Sequence, residues 1–555
     1  MLKKNLSILA IVISFIYIII FFVPHDKEYR VIKVFSPLKV VLDKEVFELP
    51  NMQTFDSEYT ENNLELAKKL EITEEEAFIL GNLAKNWATN VLQGRKVYKK
   101  ENSDLIYYKN SYRTKFLYSG FCLEDSKPYY QSAFNKKLRE ARKVNYKVLD
   151  LNTNKVYNPE DKEVRSLENF ILVRKSHLPP KMNEERYSEV IKKGGIKLIV
   201  SDLTSKLVPD RECSTYICKE ILTNINSAQK SIDIAIYGYS TVPAIETALR
   251  KALNRGVKVR LVYDLDKNGK NIYSNTSDLV SLISRNNNDG KTQEAQNIMQ
   301  NKFYIFDDSV LITGSANLSH TDMSGFNTNS IVVVKSDKLA KIYKKEFEQM
   351  YEGSFHSNKK SQFMTKNENI VDNLEVYFSP QDKSITNAVL PLIKNAKKYI
   401  YIPTFVLTEK RVTAELINAK NRGVDVKIIL DALNSSIKHS KHKELRSNGI
   451  MVKTENYAGK MHSKSMIVDD EYTIIGSMNF SNSGENKNDE NLIVIKDSDI
   501  TKFYKNFFLY QWNKIDNIWL TKNIRAEGKD SIGSCFDGLD NNYDGLIDSN
   551  DPACK

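Results

Sequence analysis

A peptide that recurs inside the chain limits its architecture more than any other feature. Asn254-Arg255-Gly256-Val257-Lys258-Val259-Arg260-Leu261-Val262-Tyr263-Asp264 returns 167 residues later as Asn421-Arg422-Gly423-Val424-Asp425-Val426-Lys427-Ile428-Ile429-Leu430-Asp431. Ahead of each copy lies helical periodicity, over residues 244–253 and 412–420, stopped by an Arg-Gly pair, and each copy is itself a β-branched run. Another apolar strand candidate precedes each helix, over residues 231–237 and 398–402. Strand, helix, strand at this spacing is a βαβ unit. The expected fold is therefore α/β, with two pseudo-twofold-related βαβ repeats. Each should be a mixed or mostly parallel sheet flanked by helices.

A second matched set follows in unbroken register. Gln300-x-Lys302-x4-Asp307, Gly314-Ser315-x-Asn317 and Asn327-Thr328-Asn329 answer His462-x-Lys464-x4-Asp469, Gly476-Ser477-x-Asn479 and Asn488-Asp489-Glu490. Two copies with aligned functional groups point to halves whose motifs meet at a shared cleft. These residues resemble the phospholipase D superfamily, whose mark is two copies of H-x-K-x4-D, each followed by G-S-x-N and N-x-E. The likeness runs over roughly residues 196–512. The second copy matches throughout. The first departs from the pattern, with Gln300 in the place of histidine and Asn329 where glutamate often stands.

The chemistry is legible beside that likeness. His462 and Lys464, two apart on a strand-like segment, face the same side. A histidine so placed can attack phosphorus, and the phosphohistidine splits one displacement into two. Its imidazole must be neutral on the attacking nitrogen, with the other N–H held by an acceptor; the resemblance implies Glu490 for that role. Lys302 and Lys464 are expected to bind the non-bridging oxygens, with Asn317 and Asn479 donating hydrogen bonds and Ser315 and Ser477 joining from tight turns. Together they stabilise the five-coordinate transition state with no catalytic cofactor. Asp307 and Asp469 belong to the motifs as braces. Gln300 can neither protonate a leaving group nor attack. Three outcomes stay open: slow catalysis by His462, a histidine from a partner chain, or phosphodiester binding without cleavage.

The flanks suggest further divisions: a leader over 1–25, an accessory α+β region over 26–190, repeats over 191–370 and 371–520, and a tail over 521–555. Lys3 and Lys4 precede 18 uncharged residues, 6–23, and no small-residue cleavage site closes that run. An uncleaved signal anchor in a membrane is favoured over a cleaved signal peptide; either way the body is exported. In the accessory region a helix is expected over 74–93, with Thr73 and Glu76 forming a capping box. Five cysteines are too few for a disulfide scaffold, but Cys213 and Cys218, and Cys535 and Cys554, are spaced to pair outside the cytoplasm. In the tail, Asp540, Asn542, Asp544, Leu546, Asp548 and Asp551 have the spacing of a Ca²⁺ loop, with Gly545 at its turn.

Hydrophobic residues at 41% and charged residues at 27% exclude a mostly disordered or collagen-like chain. The formal charge of +11 suits an anionic partner. The leading expectation is a phospholipid-cleaving phosphodiesterase held at a membrane, with Phe303, Tyr304 and Phe326 as an acyl-tolerant wall. A nuclease acting on nucleic acid and a non-catalytic phosphodiester-binding protein are the alternatives.

Overall fold

The two recurring peptides form matching strands in two sheets of identical topology. The computed structural model describes residues 28–555 apart from 44, 94, 101–102, 108–109, 124–127, 154, 176–177, 179–186, 274–279, 281–282, 289–296 and 364–367. The apolar leader, 1–25, lies outside the described residues. Among the described residues no helix is long and apolar enough to cross a membrane. The chain divides into two compact units after Lys175, 15 residues before the boundary drawn from the sequence. In the first, a six-stranded sheet packs with the helix Glu74–Leu92, which begins with the Thr73–Glu76 capping box.

The second unit holds both repeats. The first sheet comprises β1 (Val190–Lys193), β2 (Ile196–Val200), β3 (Ser231–Ile236), β4 (Lys258–Asp264), β5 (Ser284–Asn288), β6 (Lys302–Phe306), β7 (Val310–Gly314) and β8 (Ser330–Lys335). The second comprises β9 (Ile370–Val371), β10 (Leu374–Ser379), β11 (Tyr399–Thr404), β12 (Asp425–Leu430), β13 (Met451–Thr454), β14 (Met466–Val468), β15 (Tyr472–Gly476) and β16 (Glu490–Lys496). Their orders are β1-β2-β8-β7-β6-β3-β4-β5 and β9-β10-β16-β15-β14-β11-β12-β13, the same path taken twice.

Parallel pairing is confined to β3-β4-β5 and β11-β12-β13; the helices Pro243–Asn254 and Lys410–Asn421 cross between β3 and β4 and between β11 and β12. The remaining neighbours in both sheets are antiparallel, so each sheet is mixed and mostly antiparallel rather than mostly parallel. For β6-β7 and β14-β15 the reason lies in the short connection: a tight turn can only reverse a strand.

The crossover helices Pro243–Asn254 and Lys410–Asn421 stop alike. Gly256 and Gly423 take φ of 85° and 91°, and the next residue donates back to Ala252 and Ala419, 3.0 and 3.1 Å away. This left-handed closure favours glycine, which explains the recurring Arg-Gly pair. Each helix then buries its apolar face against its own sheet.

Candidate active site

Each motif ends in a hairpin. Asp307 and Asp308 both have φ near 50°, as do Asp469 and Asp470, so two aspartates make each left-handed turn. The Asp307 carboxylate accepts the N–H groups of Gln229, Lys230 and Ser231 at 2.9, 2.7 and 3.0 Å. Asp469 does the same for Lys397, Lys398 and Tyr399 at 2.6, 2.8 and 2.9 Å. Both carboxylates hold a strand start at the far end of the motif and do not touch the reacting groups.

At the other end the repeats meet. Gln300 N–H donates to the Asp489 carbonyl at 2.8 Å, and His462 N–H donates to the Thr328 carbonyl at 2.9 Å. Single bridges join Met299 to Asp489 and Thr328 to Met461. Each motif therefore faces the N-x-E (or N-x-N) segment of the other repeat. His462 Nδ1 lies 3.0 Å from Asn329 Oδ1, and Ser315 Oγ donates to the same oxygen at 2.8 Å. Glu490 instead accepts from Ser477 Oγ at 2.8 Å and Asn488 Nδ2 at 3.3 Å.

Three expectations change as a result. The acceptor holding His462 is Asn329, not Glu490. Ser315 and Ser477 are fully buried and give their hydroxyl protons to Asn329 and Glu490, so they brace those residues rather than bind phosphate. Their N–H groups are committed to Ser330 and Asn491. Phe303, Tyr304 and Phe326 are all buried, with Phe303 packed edge-on to Tyr343, and form no acyl wall.

The two lysines mirror one another. Lys302 Nζ donates to the Gln300 carbonyl at 2.8 Å, and Lys464 Nζ to the His462 carbonyl at 2.6 Å. Each ammonium stands over a half-buried ring, Tyr237 at 5.4 Å and Phe405 at 4.9 Å. Both are 1% exposed. Burial lowers Lys302 to about 8 against the pull of Glu490 and Asp322. Burial and the charge of Lys302 push Lys464 well below the usual lysine range. Two buried ammonium groups acting on each other make a receptor for an anion.

His462 is driven well below its ordinary value, first by burial and then by Lys464, Lys302 and Lys460. The ring is thus neutral near pH 7. With Nδ1–H aimed at an amide oxygen, its other nitrogen carries the lone pair. Burial raises Glu490 to about 7 against both lysines. Asn317 and Asn479, the symmetric amides, are near the motifs with side-chain oxygens buried and unpartnered among the described residues.

Sequence reasoning gave no role to two further groups. Asp264 and Asp431 end the recurring peptides and grip the residues just before each motif. Asp431 accepts the Met461 N–H at 3.1 Å, and Asp264, raised by burial to about 8, bonds Asn288 at 2.8 Å and the Met299 backbone. Their matched position in the repeat was the available signal.

The tail is also part of the site's surroundings. The Cys213–Cys218 and Cys535–Cys554 disulfides both form, and Cys122 is buried apart from them. Ile532 pairs with the 456–458 segment leading to His462, through Ile532 N–H to Asn456 at 2.7 Å and Ala458 N–H to Ile532 at 2.8 Å. Asn541 Nδ2 donates to the Ala458 carbonyl at 3.1 Å, and Lys460 reaches the Tyr543 hydroxyl. Within the expected Ca²⁺ loop, Asp540 accepts the N–H groups of Asp544 and Gly545 at 3.1 and 2.8 Å. Asp551 and Asp548 bond Ala553 and Gly538 at 2.6 and 3.2 Å. Asn542 Nδ2 donates to Asp551 at 2.8 Å and to Asp544 at 3.3 Å, joining three of the expected ligand residues. Among the described residues no three or more His, Cys, Asp and Glu side chains converge as a metal-holding group.

Known proteins resemble this chain in sequence. The family described as "Cardiolipin synthase, PLD-like domain" matches residues 221–351 and 389–512, one stretch in each repeat. A protein named phospholipase D from Rickettsia typhi is 34% identical over 137 residues, covering 24% of this chain and 67% of that protein. The chain belongs to the phospholipase D superfamily. A phospholipase D from Rickettsia bellii is 37% identical over 119 residues, 21% of this chain and 59% of the relative's length. The match thus spans a little over half of that relative. A solved phospholipase D family member from Salmonella typhimurium is 28% identical, covers 27% of this chain and 97% of its own, and has a TM-score of 0.24.

Proposed function

We propose that the chain is an exported, membrane-held phosphodiesterase that cleaves a phospholipid phosphodiester through a phosphohistidine on His462. One observation carries this reading: a buried, neutral imidazole with Nδ1 held by Asn329 stands among lysines drawn from both repeats. The free nitrogen forms a bond to phosphorus while the bond to the leaving oxygen breaks, and that oxygen takes a proton from water. Lys302 and Lys464 hold the non-bridging oxygens, and an anion between them restores their protonation. Water then attacks phosphorus, the P–N bond breaks and the imidazole is regenerated. Gln300 supplies no proton, so the first step is slow. The names of the relatives support the lipid, and the two disulfides support an oxidising compartment. The charge of +11 favours nucleic acid as a second substrate class.

The test is trapping. The protein is incubated with labelled phosphatidylcholine vesicles or labelled DNA, quenched and digested. Label on the peptide bearing His462 with lipid, absent in His462→Ala, supports the reading. Label from DNA alone transfers it to a nuclease, and turnover unchanged in His462→Ala removes it.

A further inference from the structure

The crosswise pairs are each missing one member. Facing His462 is Asn329, where the other repeat carries Glu490; Gln300, where the other repeat carries His462, ties its N–H to Asp489, the residue beside Glu490. His462 therefore lacks a carboxylate at the place the internal symmetry would supply one. A buried carboxylate stands beside it all the same. Asp322, 1% exposed, comes from the short helix His320–Met323, and its Oδ2 lies 3.8 Å from His462 Nδ1. The side chain is fixed in place: Oδ2 accepts the Asn317 N–H and Oδ1 accepts Asn327 Nδ2, both at 2.6 Å. These donors are neutral amides, so the one group within 4 Å among the described residues that could pair with its charge is the imidazole, once that ring becomes cationic.

Asp322 also breaks the repeat. Its counterpart 162 residues on is Gly484, where an added Cβ would meet the Asn479 carbonyl at 2.4 Å. The second repeat has no room for a side chain there; the first repeat places a carboxylate there, aimed at the other repeat's histidine. The charged groups facing the ring are Lys464 from its own segment, Lys460 from the preceding loop, Lys302 from β6 and Asp322. Glu490 and Asp431 act on Lys464, and Phe405 presents a neutral ring at 5.0 Å. Three of the four charges facing the imidazole oppose a positive charge on it.

We propose that Asp322 is a positioning residue that supplies the countercharge for His462, doing from the helix what a carboxylate at position 329 would do from the residue before β8. The inference rests on the phosphohistidine reading above. When the free nitrogen bonds phosphorus and the leaving oxygen departs with its electron pair, Nδ1 keeps its proton and the ring becomes cationic. Asp322 balances that charge without taking the proton, and the charge disappears when water breaks the P–N bond. An opposite charge at this distance shifts a titration by about 1–3 pH units.

The experiment titrates His462 in ¹⁵N-histidine-labelled protein with inorganic phosphate bound, its signal assigned by loss in His462→Ala. Asp322→Asn keeps the size and one of the two acceptor atoms, its NH₂ replacing the other, so the melting temperature is read alongside, and a structural role leaves the titration in place. The expected result is a fall of about 1–3 pH units, a matching ten- to thousand-fold slower phosphoenzyme formation, and KM unchanged. Moving the carboxylate, with Asp322→Gly and Asn329→Glu together, is expected to restore both quantities. A His462 titration that is the same in wild type and Asp322→Asn overturns the inference at any rate of turnover, as does failure of the relocated carboxylate to restore it in a protein of wild-type melting temperature. A titration that moves in a protein that never forms phosphoenzyme retires the nucleophile reading and leaves the ion pair standing.

Discussion

Replacing Gln300 by histidine is the sharpest perturbation this site offers. Gln300 is 7% exposed and its backbone is tied to Asp489 as that of His462 is tied to Thr328, at 2.8 and 2.9 Å. A histidine introduced there inherits the mirror geometry, in which Nδ1 points at Glu490 as that of His462 points at Asn329, 3.0 Å away. Glu490 is a full carboxyl, raised to about 7 by burial against Lys302 and Lys464. A neighbouring imidazolium favours its ionised form, and the pair then offers a proton donor on the side of the site away from His462. A placed general acid contributes about 10²–10⁴-fold, or roughly 3–5 kcal/mol of barrier. The lysines beside the new ring oppose its protonation, so the lower end, about 10²-fold, is the expected gain.

The assay compares two phosphodiesters that differ only in leaving group. An alkoxide needs a proton as it departs; a nitrophenolate does not. Gln300→His is expected to speed the alkyl ester about 10²-fold and the nitrophenyl ester hardly at all. The gain should vanish in Glu490→Gln, which removes the charge that orients and protonates the new ring. Equal acceleration of both esters would refute the reasoning, because the added ring would then be acting on something other than leaving-group protonation. No acceleration of the alkyl ester would refute it equally.

The other predictions concern the frame of the site. Asp307→Ala removes the acceptor for three N–H groups and is expected to lower stability by about 1–2 kcal/mol, read as a lower melting temperature with phosphoenzyme formation retained. Although partial burial opposes it, the Ser231, Gln229 and Lys230 N–H groups hold Asp307 below the ordinary aspartate value. Its contribution is therefore complete above the unfolded value near 4 and is lost as pH falls through the lower folded value, so wild type and variant should converge in strong acid. Tyr543→Ala frees Lys460 beside the cleft and is expected to change KM several-fold with kcat held; equal loss in both would place the tail's role in folding. The tail loop is proposed to bind Ca²⁺ on its sequence spacing, with a higher melting temperature in calcium than in chelator that disappears in Asp544→Ala; equal melting temperatures remove the assignment.

Linear spacing revealed the members of each repeat but not the partners across the seam. The βαβ units were legible because helical and strand periods alternate between fixed Arg-Gly stops, and the capping box at Thr73 was legible because both partners lie within one turn. Parallel pairing was extended too far, since β7 and β15 follow tight turns whose aspartates read equally well as motif chemistry. Asp307 and Asp469 are in those turns, at the far end of the strand from Gln300 and Lys302. Glu490 was joined to His462 on the resemblance alone, whereas the bridges from Met299 to Asp489 and from Thr328 to Met461 cross the repeats. Asp322 left no trace in a search for matched positions because its counterpart is a glycine. A self-similarity search finds what two halves keep in common. In a site where the first half has lost both the histidine and the glutamate, so that each crosswise pair lacks one member, the chemistry depends on what the halves do not share: one histidine, one glutamate, and one aspartate that only the first half has room to hold.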